Sequence, residues 1–170
     1  RGVEMLGLWT FYAVMLISFC GLYAGLAIGY IAKEELKPGK KYLQYLHDVV
    51  LTFFIGVMLY YFDIPMLITV LLAVPIFVLL QLVKDNNTIK PFVYIVMGVT
   101  LFLSETVAFR FFLMTGITIF LYGLPVGSLY LERNIEKKPS LNITDVALLH
   151  SIFLVVTVMV KFWGVVLTFT

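Results

Sequence analysis

The sequence predicts an all-α fold, a polytopic transmembrane helix bundle of about six spans. Three observations carry that expectation: of 170 residues 62% are hydrophobic, only 13% are charged, and the mean hydropathy is +1.03. A soluble domain carries about 25% charged residues, because it must show water a polar surface. At half that fraction, lipid is the expected solvent for most of the surface. The length suits one transmembrane domain over residues 1–170, with no room for a separate soluble one.

The first apolar run, 6–32, exceeds the 7–15 residues or so of a signal-peptide core and lacks a basic leader. It ends in a hydrophilic stretch, Lys33 to Lys41, where Pro38-Gly39 is expected to stop the helix. The next segment is amphipathic from Tyr42 and apolar from Val49, which sets a span at 43–62. Asp63-Ile64-Pro65 marks a tight turn, and a third span follows at 64–83 with Pro75 inside it. The stretch from Pro91 to Leu131 is too long for one helix. Its only polar triplet, Ser104-Glu105-Thr106, is the expected break, with Ser104 capping the helix that follows. Spans at 89–104, 106–131 and 143–169 complete the set.

Charge orients the bundle. The turns at 33–41, 84–90 and 132–139 all fall on one side of a six-span chain, and they hold nine of the twelve Lys and Arg residues. The positive-inside rule places those turns in the cytoplasm and both termini outside. Trp9, Tyr60, Tyr61 and Trp163 fall near the outer ends of their spans, as interfacial aromatics do. The sequons Asn86-Asn87-Thr88 and Asn142-Ile143-Thr144 would then be cytoplasmic and carry no glycan.

One self-similarity stands out. Gly25-x-x-x-Gly29 closes the first span and Gly123-x-x-x-Gly127 the fifth, 98 residues apart; Asp48-Val49 and Asp145-Val146 follow, 97 apart. The copies are offset by four helices, so a true repeat would be parallel, about an axis along the membrane normal. Asp48 and Asp145 would then lie at equivalent depth. Gly21, Gly25, Gly29, Gly123 and Gly127 have the spacing that lets helix backbones approach. That stripe serves packing within the chain, a homo-oligomer seam, or a partner membrane subunit.

The residues left to carry chemistry are few. Asp48 and Asp145 are helix-capping residues or a facing pair that binds a cation or shares a proton. His47 reads as a hydrogen-bonded interfacial histidine, and His150 as a titratable group inside a span. Arg110 and Lys161 are the basic residues within spans; Glu105 is five residues from Arg110, off its helical face, and pairs better with Lys161 across helices. Both cations could also snorkel to headgroups. Cys20 stands alone, so neither a disulfide nor a cysteine metal site is expected. No cofactor, metal or nucleic-acid partner is expected: two isolated histidines do not make a haem site, and no long basic run occurs. Catalytic motifs such as His-Glu-x-x-His and Gly-x-Ser-x-Gly are missing. Three functions fit these residues. The leading one is a small transporter or channel-like protein moving an ion or solute along a polar path from the Asp48/Asp145/His150 group to the Glu105/Arg110/Lys161 group. The others are a non-catalytic subunit of a membrane complex and a membrane enzyme acting on lipid or peptide.

Overall fold

The computed structural model describes residues 7–82, 89–136 and 139–169. Its elements are α1 (Leu8–Ile31), α2 (Leu36–Tyr61), α3 (Met66–Leu82), α4 (Ile89–Val107), α5 (Phe109–Arg133) and α6 (Pro139–Phe169). Four contain windows long and apolar enough to cross a bilayer: α1, α2, α5 and residues 142–163 of α6. Two shorter apolar stretches lie in α3 and α4, at Met66–Val78 and Val93–Val107. The architecture is that of a multi-pass membrane helix bundle.

Three boundaries differ from the sequence expectation, each for a local reason. Pro38 and Gly39 do not stop a helix; they lie in the first turn of α2, where a proline's missing N–H has no helical partner to lose. Leu36, 4% exposed, anchors that turn beneath Gly29 of α1. Pro139 opens α6 at its first position for the same reason, four residues before the expected start. The break between α4 and α5 falls at Ala108, in extended conformation (φ −166°, ψ 144°), rather than at Ser104. Ser104 does not cap α5; its hydroxyl donates to the Leu101 carbonyl within α4. Glu105 is held in α4 by its partner on α6, described below.

The turn after α2 closes as the Asp63-Ile64-Pro65 pattern implies. Ile64 N–H reaches the Leu59 carbonyl at 3.2 Å and Asp63 takes φ 58°, the wrapped-back helix end that precedes a proline. Pro75 stays inside α3 and Pro125 inside α5.

α5 is the centre of the bundle and packs against α1, α2 and α4. α1 and α5 run parallel along a glycine seam. A Cβ on Gly25 would stand 2.2 Å from the Leu124 carbonyl oxygen, and one on Gly127 would stand 2.2 Å from that of Leu22. The reciprocal contact pairs Gly21-Leu22-Tyr23-Ala24-Gly25 with Gly123-Leu124-Pro125-Val126-Gly127, an offset of 102 residues. Ser18 and Ser128 fasten the seam by donating to the Gly116 and Gly25 carbonyls at 3.0 and 2.8 Å. Gly29 meets the Leu131 side chain. The seam is filled from within: a Cβ on Gly21, Gly25 or Gly127 would meet backbone of the facing helix of the same chain.

α4 and α6 form a second close pair, with Gly98 against the Thr157 side chain and the Phe153 carbonyl. α3 packs on α2, with Met66, Leu67, Leu71 and Val74 more than 60% exposed. The basic turns at 33–41 and 132–139 meet at one end, where Lys40 bridges Glu132 at 3.1 Å. The turn at 84–90, with its sequon at Asn86, lies mostly outside the described residues. Trp9 (87% exposed) and Trp163 (69%) stand outward near the opposite end, placed for a headgroup interface.

Candidate functional site

One polar group in the bundle interior is built from α2 and α5. Asp48 is 8% exposed, and its carboxylate lies 2.8 Å from His47 Nδ1. A carboxylate only accepts, so Nδ1–H is the donor. The other ring nitrogen, Nε2, is 3.0 Å from the hydroxyl of Tyr122. In the neutral ring that nitrogen is an acceptor, and Tyr122 donates to it. The rings lie 4.9 Å apart and are tilted by 43°. Tyr122, at 2% exposed, places this arrangement deep among the helices.

α4 and α6 face it with Tyr94 and His150. The Tyr94 ring stands edge-on to Tyr122 at 5.9 Å and edge-on to His150 at 4.6 Å. Its hydroxyl is buried without a hydrogen-bond partner. His150, 6% exposed, donates from Nδ1 to the Val146 carbonyl at 3.0 Å, which leaves Nε2 as the acceptor of the neutral ring. His47, Tyr122 and His150 each lie eleven residues from the basic-turn end of their helix, about 16 Å along the axis. Five side chains from four helices thus converge at one level, where the α1/α2/α5 group meets the α4/α6 pair.

Asp145 is not part of that level. Tyr130 donates to its Oδ2 at 3.1 Å, eight residues and about 12 Å along α5 from Tyr122. The equivalent depth expected for Asp48 and Asp145 is therefore not found. Near Asp145, Asn142 is fully buried and its Nδ2 donates to the Tyr30 hydroxyl (2.9 Å) and the Asn134 carbonyl (3.2 Å). An open cleft of about 390 Å³, lined by Lys37, Glu132, Arg133, Asn134, Ile135 and Glu136, lies at the same end.

The second group of ionisable residues lies towards the opposite end. Lys161 donates to both oxygens of Glu105 and stands 4.7 Å over the ring of Phe11. Arg110 does not share this environment; it is exposed, as the second residue of α5. Between the two groups α4 supplies Met97 and Leu101, both 0% exposed, and α6 supplies Phe153. Phe153 stacks on Phe19 of α1 at 6.5 Å. Thr100 and Thr157, in the same layer, direct their hydroxyls to carbonyls of their own helices. The space between the two groups is occupied by these side chains, mainly apolar with two threonines, and not by further charged groups among the described residues.

Sequence reasoning singled out Asp48, His150, Glu105 and Lys161, and missed the part played by His47, Tyr122 and Tyr94. Tyrosine in a span reads first as an interfacial residue. The usable signal was position: Tyr122 lies mid-span, where a phenol facing lipid would have no hydrogen-bond partner. Among the described residues, no three His, Cys, Asp or Glu side chains are grouped as a metal site requires.

Comparison with known proteins places this chain beside none of them: no family model, curated protein or solved structure matches it.

Proposed function

We propose that this chain is a small secondary transporter that moves an ion or small solute through the level of Asp48, His47, Tyr122, Tyr94 and His150. One observation carries the reading: ionisable side chains from separate helices meet in the bundle interior. Charged and titratable groups are costly there and characteristically mark substrate or proton paths. The layout of the helices supports it as well. The site lies where two closely packed groups meet, α1/α5 with α2 on one side and α4/α6 on the other. Relative motion of such groups exposes a central site to alternate faces. The apolar layer of Met97, Leu101 and Phe153 favours this over an open channel, because a continuous pore needs a wet path. In this reading the basic turns face the cytoplasm and both termini face outward. The purified chain in proteoliposomes should drive electrogenic or tracer flux with a panel of cations, protons and amino acids. Absence of flux across the whole panel would remove the reading.

A second reading, a non-catalytic subunit of a larger membrane complex, draws on α3. With the glycine seam filled, this exposed apolar helix is the surface on which a partner would dock. Native purification in mild detergent separates the two: a stoichiometric partner favours the subunit, a lone chain or homo-oligomer the transporter.

A further inference from the structure

We infer that the site binds a proton at His47, and that Tyr122 passes its protonation state to the α4/α6 pair. The inference rests on the transport reading and names its coupling ion. In the neutral state, Nδ1–H of His47 is committed to Asp48 at 2.8 Å and Nε2 accepts from Tyr122 at 3.0 Å. One proton added at Nε2 turns both ring nitrogens into donors. The added positive charge would lie beside the Asp48 carboxylate, whose oxygen is 2.8 Å from the same ring.

Protonation changes the direction of the second hydrogen bond. Tyr122 can no longer donate to Nε2, so its oxygen accepts from it. The hydroxyl hydrogen must then swing away from α2. No covalent bond breaks: one N–H forms at His47, Tyr122 keeps its proton, and the net charge of the site rises by one. Tyr122 packs edge-on against Tyr94, whose buried hydroxyl has no partner and whose ring also meets His150. The groups facing His47 are therefore Asp48 on its own helix, Tyr122 on α5, Tyr94 on α4, and His150 beyond it on α6. In both states Tyr122 stays hydrogen-bonded to His47 on α2; only in the protonated state is its hydroxyl hydrogen released to serve as a donor towards Tyr94 on α4. That difference is a contact made in one state and not in the other, as a coupled conformational change requires.

Two measurements on the intact chain test this. The first is side-chain ¹⁵N NMR of the two histidines in lipid nanodiscs. Neutral His47 should carry its proton on Nδ1, and a second proton should appear on Nε2 as the pH is lowered. Tyr122→Phe should preserve that titration and remove the hydrogen-bond shift at Nε2. The second is proton entry into proteoliposomes under an imposed pH gradient. His47→Gln and Tyr122→Phe should each abolish most of it, with Tyr61→Phe as the unaffected control. A His47 ring that stays neutral throughout, or Tyr122→Phe flux equal to that of the unsubstituted chain, overturns the inference. Solute or metal-ion flux indifferent to pH overturns it and leaves the transport reading standing. Absence of all flux removes the transport reading, and the histidine titration still decides the proton site.

Discussion

Lys161 donates to both carboxylate oxygens of Glu105, at 2.7 and 2.6 Å, with the two side chains 4% and 3% exposed. A buried pair of this kind does little for net stability, since desolvating both charges offsets most of their attraction. Its effect is on geometry. It sets α4 against α6 and keeps Glu105 helical past the polar triplet where a break was expected. Removing one partner strands the other charge in an apolar interior. Lys161→Met and Glu105→Gln should each cost about 3–5 kcal/mol, and the double replacement much less than their sum. Thermal unfolding in detergent checks this; additive losses would show that the two side chains do not act as a pair.

The glycine seam makes a prediction of opposite character, steric rather than electrostatic. A methyl group at Gly25 or Gly127 would stand 2.2 Å from a backbone carbonyl oxygen, which no side-chain adjustment relieves. Gly25→Ala and Gly127→Ala should therefore separate α1 from α5 and cost about 1–3 kcal/mol. Gly39 has nothing within 4 Å of its Cβ position, so Gly39→Ala should be neutral or stabilising by about 0.5–1 kcal/mol. Equal responses at all three positions would mean that the seam is not held in this register.

How much could be read beforehand follows from how local each signal is. Six apolar helices were legible because lipid demands long apolar runs and water demands polar turns. The Glu105–Lys161 pair was legible because charges within spans are scarce enough to need one another. The α4/α5 boundary was not, because Glu105 stays in α4 through a contact 56 residues away. The relation of Asp48 to Asp145 failed for a different reason: α2 begins seven residues before its expected start and α6 four, which leaves Asp48 twelve residues into its helix and Asp145 six. Tyr94 gave no signal of its own, and Tyr122 only its mid-span position. Their hydroxyls matter through what the fold brings beside them.

The turn at Asp63 offers a test of backbone conformation alone. Its φ of 58° is costly for most L-residues, and less so for Asp, Asn and Gly. Asp63→Gly should hold or raise stability by a few tenths of a kcal/mol, and Asp63→Val should lower it by about 1–2 kcal/mol. Melting temperatures of the pair decide; a stable Val variant would indicate a different turn.

Asn142 joins three helices and also carries a sequon, and the two facts conflict. Its Nδ2, the atom a glycan would modify, is shared between Tyr30 of α1 and the Asn134 carbonyl beyond α5, in a fully buried residue. A glycan there would have to draw the start of α6 out of the bundle. Expression in a glycosylating host should therefore give no mass shift at Asn142 whichever way the chain faces, so this sequon cannot report orientation. Cysteine labelling can: with Cys20 replaced, Lys41→Cys should react only from the cytoplasmic side and Asp63→Cys only from the outer side. The stability effect is independent of topology. Asn142→Leu removes both hydrogen bonds and leaves the Asn134 carbonyl without this donor, at a cost of about 1–3 kcal/mol. Asn142→Asp should cost more, because a carboxylate would face that carbonyl. If instead Asn142→Asp proved the milder change, Asn142 would be accepting at this position rather than donating.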